Sequence, residues 1–170
     1  ARSAPQLDYD FPGVICLSVN DECVHGIPGA RVLADGDLLK IDVTAELDGF
    51  YADACVTVPV GRTDPRTRRL AVAAQSGLKR GLAAAVAGAP VNAIGGAVER
   101  EVTSRGFSVC TELTGHGIGR RIHEPPNVPN YFEPRAAAPL RAGLVLTVEP
   151  IIAAGRGDVI VMPDGWTVCT

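Results

Sequence analysis

One stretch of this sequence constrains the fold more than any other: Leu38–Val60, which reads LLKIDVTAELDGFYADACVTVPV. Two runs rich in Val, Ile, Thr, Phe and Tyr flank Asp48-Gly49. This dipeptide between alternating apolar runs favours a two-residue type I′ turn, because that turn needs positive φ at both central residues. The stretch therefore predicts a long antiparallel β-hairpin in which Leu47 pairs with Phe50.

The pairing of this hairpin places two carboxylates on one face. Counting outward from the turn, Thr44 pairs with Asp53 and Asp42 pairs with Cys55. Paired side chains share a face, so Asp42, Thr44 and Asp53 project from the same side, with the two aspartates roughly 7–8 Å apart at the backbone. Carboxylates this close repel each other unless a cation lies between them. Two divalent metal ions about 3.5–4 Å apart are one such partner, although an ordinary solvent-facing hairpin would show the same pattern.

Length, charge and cysteine content narrow the class of protein. With 170 residues, the chain is expected to form a single domain, residues 1–170, that needs no disulfides. The net charge is −3, and the basic run 62–69 is typical of a solvated helix start, so no nucleic-acid partner is expected. Five cysteines without a C-x-x-C pair fit reduced thiols in the cytoplasm. No apolar run is long enough for a membrane span and no signal peptide is visible, so no membrane partner is expected.

The order of elements predicts an α+β fold, with helices on one face of a mainly antiparallel sheet. Thr63-Asp64-Pro65 is typical of a helix start, with Thr or Asp as the cap. Helices are predicted over residues 66–87 and 91–105. Strands are predicted over residues 107–113, 144–149, 151–162 and 166–170, with a hairpin turn at Asp164-Gly165. The Gly-rich segment 114–126 is predicted to be a loop.

Histidine is scarce, and each histidine lies in a special local context. The three are His25, His116 and His123. His116 lies between two glycines, which allow the backbone to approach a ligand closely. Glu149 ends the apolar run LVLTV, and a carboxylate there is uncommon without a partner. Taken singly, these residues also fit a turn, an exposed loop or a strand end that reaches water.

Five motifs, in order, resemble those of the type I methionine aminopeptidases, and the resemblance covers essentially the whole chain. They are HGIP (His25–Pro28), KIDVTAELDGFYADA (Lys40–Ala54), TGHGIGRRIHEPP (Thr114–Pro126), VEP (Val148–Pro150) and MPDGWTV (Met162–Val168). The resemblance implies a pita-bread fold with two divalent metal ions, which the sequence narrows only to Co, Mn, Fe or Zn. It also implies that peptides and nascent chains with an N-terminal methionine are the substrates.

The resemblance further implies a set of metal ligands. By motif position, Asp42 would chelate one ion and Asp53 would bridge both. His116 and Glu149 would bind the other ion. Glu149 would also relay a proton from the attacking water.

The same resemblance implies roles around the substrate. His123 would stabilise the developing oxyanion, His25 would contact the peptide near the scissile amide, and Thr44 would orient a ligand carboxylate. A pocket for the methionine side chain would be lined by Phe11, Cys16, Ile122 and Trp166.

The sequence departs from the family pattern at both ends. The family also uses a metal-bridging glutamate in a strand shortly after the DGWTV motif, and an N-terminal helical segment; neither lies within these 170 residues. The chain is therefore expected to be part of a longer enzyme, a short homologue that binds metal weakly, or a metal-deficient peptide-binding module. A proline-specific aminopeptidase of the same fold is the alternative enzyme. The HGIP motif and the short spacing within residues 115–126 favour the methionine-specific branch.

Overall fold

The chain is described from a computed structural model that covers residues 1–170. Its elements, in chain order, are β1 (Arg2–Ser3), α1 (Ala4–Tyr9), β2 (Cys16–Val19), β3 (Glu22–Val24), β4 (Leu38–Leu47), β5 (Phe50–Pro59), α2 (Pro65–Ala84), α3 (Asn92–Ser104), β6 (Ser108–Val109), β7 (Thr114–Gly117), β8 (Glu124–Pro129), β9 (Ile152–Ala153), β10 (Ile160–Val161) and β11 (Val168–Cys169). None of the helices combines the length and the apolar character that crossing a membrane requires. Helices and antiparallel strand pairs are both present, as the α+β prediction requires.

The chain divides into two compact units. The hairpin unit comprises Ala1–Arg68, Gly119–Ile122 and Val159–Thr170, and the helical unit comprises Arg69–Ile118 and His123–Asp158. Every strand pairing lies within one unit. Each unit therefore has its own hydrogen-bonded sheets.

The predicted central hairpin is confirmed. Strands β4 and β5 pair residue by residue, from Leu47 opposite Phe50 to Leu38 opposite Pro59. The turn residues Asp48 and Gly49 have φ values of 54° and 80°. These are the positive angles that a type I′ turn needs, so the local sequence sets the register of the whole hairpin.

Two further strands extend the hairpin into a four-stranded antiparallel sheet. Because β5 occupies one edge of β4, β1 and β2 share the other edge. Arg2 lies opposite Glu46, and its guanidinium donates to the Glu46 carboxylate at 2.8 Å. Cys16 of β2 lies opposite Asp42, so its thiol joins the face that carries the aspartates.

A second small sheet in the hairpin unit has the strand order β10-β11-β3. The predicted turn at Asp164-Gly165 joins β10 to β11 and is confirmed. The continuous strand predicted over residues 151–162 is wrong. Strand β9 pairs with β6 in the helical unit, whereas β10 pairs with β11 in the hairpin unit. Glycines at 155 and 157 interrupt the apolar run, and glycine weakens a strand interior.

One of the two hydrophobic core clusters of the helical unit forms where α2 packs against α3. Ala73, Gly77 and Gly81 recur every four residues on one face of α2 and are buried. A Cβ atom on Gly81 would lie 2.9 Å from side-chain carbons of both Val98 and Val148. The small residues therefore let α3 approach α2 closely.

Helix α2 begins where the sequence predicted. The Asp64 carboxylate accepts the backbone N–H groups of Arg66 and Thr67 at 2.8 and 3.1 Å and also bonds the Thr67 hydroxyl. These bonds lower the pKa of Asp64. Asp64, rather than Thr63, is thus the residue that caps the helix.

The segment 114–126 was predicted to be a loop, and for much of its length that prediction is wrong. Strand β7 pairs with β8, with His116 opposite Asn127 and a bulge between His116 and Gly117. The strand predicted over residues 144–149 is also wrong, because only an isolated bridge joins Leu146 to Gly117. Two backbone hydrogen bonds lie beside this bridge, from Ile118 N–H to the Val145 carbonyl at 3.1 Å and from Thr147 N–H to the His116 carbonyl at 2.7 Å.

Candidate metal-binding and catalytic residues

In the hairpin unit, the register places Asp42, Thr44 and Asp53 on one face, as predicted. Thr44 is opposite Asp53. Thr44 is buried and the two aspartates are half-buried. A face with two carboxylates and little water carries excess negative charge, and a cation offsets that charge.

Burial and this negative charge both affect the pKa of the Cys16 thiol. Cys16 is 5% exposed and lies opposite Asp42. Burial, followed by the charges of Asp42 and Asp53, raises the pKa of Cys16 to about 12. The residue therefore remains a neutral thiol at physiological pH, which suits the wall of an apolar side-chain pocket.

His25 is held in an unusual backbone conformation, with φ at 58°. The next residue, Gly26, donates its N–H to the Ser18 hydroxyl at 2.9 Å and accepts from the Leu17 N–H at 2.9 Å. A Cβ at position 26 would lie 2.3 Å from the Leu17 carbonyl oxygen, so only glycine fits there. Desolvation lowers the pKa of His25, and Asp53 opposes that shift.

The four residues predicted to line a methionine pocket all belong to the hairpin unit. Phe11 and Trp166 make an edge-to-face contact, with ring centroids 5.3 Å apart. Phe11, Cys16 and Ile122 are buried, and Trp166 is half-buried. This contact between two predicted pocket residues is consistent with a shared apolar wall.

The loop that carries Trp166 is shaped by Asp164. The Asp164 carboxylate accepts the backbone N–H groups of Trp166 and Thr167, each at 2.8 Å, and the Thr167 hydroxyl at 2.6 Å. The Thr167 hydroxyl bond and the two backbone bonds lower the pKa of Asp164. The carboxylate form is thus the form that the fold stabilises.

We expect Asp164→Asn to lower the thermal stability of the chain at neutral pH, with a gap that closes in acid. A folded-state pKa below the unfolded value stabilises the fold above about pH 3.9, the ordinary value for Asp, and that contribution disappears as the pH falls through the folded pKa. Thermal unfolding of wild type and variant across this range tests it. Asp158→Asn is the control, because Asp158 only faces the exposed Arg156 at 3.2 Å; a gap independent of pH would contradict the expectation.

In the helical unit, the structure brings His116 and Glu149 together. The imidazole Nε2 lies 3.3 Å from Glu149 Oε1, and His116 is 6% exposed. His116 Nδ1 lies 2.8 Å from the carbonyl oxygen of Gly117. A carbonyl only accepts, so Nδ1 carries the proton and Nε2 faces the carboxylate.

The tautomer of His116 and its distance from Glu149 indicate whether this pair suits a metal ion. In the neutral tautomer, the Nε2 lone pair and the Glu149 oxygen would repel each other at 3.3 Å unless a proton or a metal cation lies between them. Histidines that bind metals are commonly oriented by a bond from the other ring nitrogen to a carbonyl or a carboxylate. The His116–Glu149 pair therefore has the donor chemistry and the tautomer of a metal-binding pair.

His123 lies beside this pair in the helical unit. The His116 and His123 ring centroids are 4.3 Å apart, with the planes at 69°. His123 is exposed. The sequence placed both histidines in one loop, but the pairing of β7 with β8 is what brings the two rings together.

Sequence reasoning missed one residue of this group, Thr147. Its hydroxyl lies 2.6 Å from Glu149 Oε1 and 2.9 Å from the His116 backbone nitrogen. A signal was available, since residues two apart in an extended segment point the same way. Thr147 precedes Glu149 by that interval.

Comparison with known proteins agrees with these features. The family model of metallopeptidase family M24 matches residues 2–168. The chain belongs to this family. It is 45% identical to methionine aminopeptidase 2 of Bacillus subtilis over 172 aligned residues, which cover all of this chain and 69% of that protein. This membership places the chain among metal-dependent hydrolases.

Solved structures give the same family and its fold. The M24 chain superposes on the methionine aminopeptidase from Rickettsia prowazekii with a TM-score of 0.93 and 38% identity, over 98% of this chain and 68% of that one. It matches the prolidase from Pyrococcus furiosus with a TM-score of 0.71 at 23% identity, over 91% and 44% of the two chains. The second likeness shows the fold alone, which is the pita-bread fold. The chain thus spans about two thirds of the length of the methionine aminopeptidases it matches.

Proposed function

We propose that this M24 chain removes the N-terminal methionine from peptides and nascent proteins by metal-dependent hydrolysis. One observation carries the proposal: His116 Nε2 and Glu149 Oε1 face each other at 3.3 Å while Nδ1 is committed to a carbonyl. We interpret these two atoms as ligands for a metal cation. Relatives from Bacillus subtilis and Helicobacter pylori, 45% and 33% identical to this chain, are both named methionine aminopeptidases, which supports that reaction over others of the family.

In this proposal, the chain binds two divalent ions and works as one catalytic domain. Asp42 would chelate one ion, Asp53 would bridge both, and His116 and Glu149 would bind the other. A bound pair of this kind supplies an activated water and polarises the scissile carbonyl. Carboxylates with one imidazole suit Co, Mn, Fe or Zn, so the donor set supports this class without choosing within it.

The remaining steps belong to side chains of this chain. Glu149 would take a proton from the attacking water and pass it to the leaving amine. His123, whose ring is 4.3 Å from that of His116, would donate a hydrogen bond to the oxyanion as it develops. His25 would contact the peptide near the scissile amide, and Thr44 would orient a ligand carboxylate.

Substrate selection would come from the apolar wall in the hairpin unit. The Phe11–Trp166 contact and the neutral Cys16 thiol would receive the unbranched thioether of methionine, with Ile122 as a further apolar surface. The five cysteines are thiols rather than disulfides, which supports a reducing compartment such as the cytoplasm. In such a compartment, nascent chains would supply the substrates with an N-terminal methionine.

A pair of tripeptides tests this proposal. The metal-free chain is incubated with Met-Ala-Ser or Ala-Pro-Ala, with and without Mn²⁺ or Co²⁺, and released amino acids are quantified. We expect methionine to be released from Met-Ala-Ser only when metal is present, because the proposed mechanism needs a bound metal to activate the attacking water. Preferential cleavage of Ala-Pro-Ala would instead show a proline-specific enzyme. Binding of Met-Ala-Ser without cleavage under any metal would show a peptide-binding module.

A further inference from the structure

Thr147 contacts both members of the His116–Glu149 pair. Its hydroxyl oxygen lies 2.6 Å from Glu149 Oε1 and 2.9 Å from the His116 backbone nitrogen. The backbone N–H of Thr147 donates to the His116 carbonyl oxygen at 2.7 Å. One residue is thus bonded to the backbone of the histidine and to the side chain of the glutamate.

The direction of these bonds is fixed by chemistry. The His116 N–H can only donate, so the Thr147 hydroxyl accepts there, and an ionised carboxylate only accepts, so the hydroxyl donates to Glu149. The other acceptor within reach, the His116 carbonyl, is more distant, at 3.3 Å, and already receives the Thr147 N–H. The single hydroxyl hydrogen is therefore used to hold Glu149.

The backbone of β7 is shaped to allow this approach. A Cβ atom at Gly115 would lie 2.5 Å from the Thr147 carbonyl oxygen and 3.2 Å from its hydroxyl oxygen. A carbonyl belongs to the backbone and cannot swing aside, so a side chain at position 115 would push Thr147 away. The close approach of Thr147 to β7 therefore depends on glycine at position 115.

We propose that Thr147 is a positioning residue that holds the Glu149 carboxylate in its metal-binding orientation. This inference rests on the proposed function, because it assumes that Glu149 binds a metal. A flexible glutamate loses rotamer freedom when it binds an ion, and a bond that fixes it beforehand reduces that loss. Removal of outer partners of this kind weakens metal binding about 10–100-fold.

The test is a calorimetric titration of Co²⁺ into the metal-free chain, with the absorption spectrum of bound Co²⁺ as a second readout. Thr147→Val keeps the shape but removes the hydroxyl, and Thr147→Ser keeps the hydroxyl. We expect Co²⁺ affinity to fall about 10–100-fold in Thr147→Val, with a changed spectrum, and to recover in Thr147→Ser. Thr147→Ala removes the same hydroxyl without adding a methyl group and replaces Thr147→Val if that variant does not fold.

Thr103→Val is the matched control, because the Thr103 hydroxyl donates to the Glu99 carbonyl on α3. We expect its Co²⁺ affinity to equal that of the wild type. Wild-type affinity in Thr147→Val or Thr147→Ala overturns the positioning role while the proposed function stands, and so does an equal loss in Thr147→Ser, which would indicate packing. A wild-type chain that binds no Co²⁺ overturns the proposed function and the inference with it.

Discussion

Asp53→Ala is expected to abolish divalent-metal binding and to reduce methionine release by about 10³-fold or more. In the proposed site Asp53 would be a ligand of both ions, so its loss would remove a ligand from each. Metal ions contribute several kcal/mol of transition-state stabilisation, and each 1.36 kcal/mol corresponds to a tenfold change in rate. Metal content after dialysis and hydrolysis of Met-Ala-Ser measure the two effects.

Two companion variants separate this loss from misfolding. Asp53→Asn keeps the shape of the side chain and should show the same loss, because an amide is a poor ligand for a hard divalent ion. Asp48→Asn removes a carboxylate from the same hairpin at φ 54°, a backbone angle that asparagine tolerates, and should keep wild-type activity. Unchanged turnover in Asp53→Ala would contradict the proposed metal centre.

Glu149→Gln is expected to lower kcat about 10²–10⁴-fold, the usual contribution of general acid–base catalysis. Glutamine can still accept the Thr147 hydroxyl bond that now ends on Glu149 Oε1 at 2.6 Å, so the chain path near His116 should be preserved. It cannot take up a proton from water. The measurement is kcat and KM for Met-Ala-Ser at saturating Mn²⁺, so that weaker metal binding does not limit the rate.

The matched control is Glu112→Gln, an exposed glutamate of the same helical unit. We expect its kcat to be unchanged. Thermal unfolding of both variants should match that of the wild type. A Glu149→Gln variant whose kcat stays within a few-fold of the wild-type value would contradict the proton relay and leave Glu149 at most a ligand.

The central hairpin was predictable because local chemistry decides it. Asp48-Gly49 allows the positive φ angles of the turn, and the alternation on both sides has a period of two. Once the turn is fixed, every pairing follows, including Thr44 with Asp53 and Asp42 with Cys55. The shared face of the two aspartates therefore needed no tertiary information.

The segment around His116 was not predictable in the same way. Its glycines and prolines give no alternation, so the sequence predicted a loop where β7 and β8 pair. The apolar run before Glu149 has the composition of a strand, yet only one bridge to Gly117 forms. Pairing there depends on a bulge and on partners distant in sequence, which local propensity does not encode.

The sequence by itself determined which side chains are available for chemistry, the hairpin register that gathers the carboxylates, and the family. Only the tertiary structure decided which ring nitrogen of His116 faces Glu149, because that depends on the carbonyl of Gly117 at 2.8 Å. It alone also decided that Thr147 holds the glutamate. The physical reason is that hydrogen bonds depend on distances of a few tenths of an ångström and on direction, and these are set by the packed chain rather than by residue types.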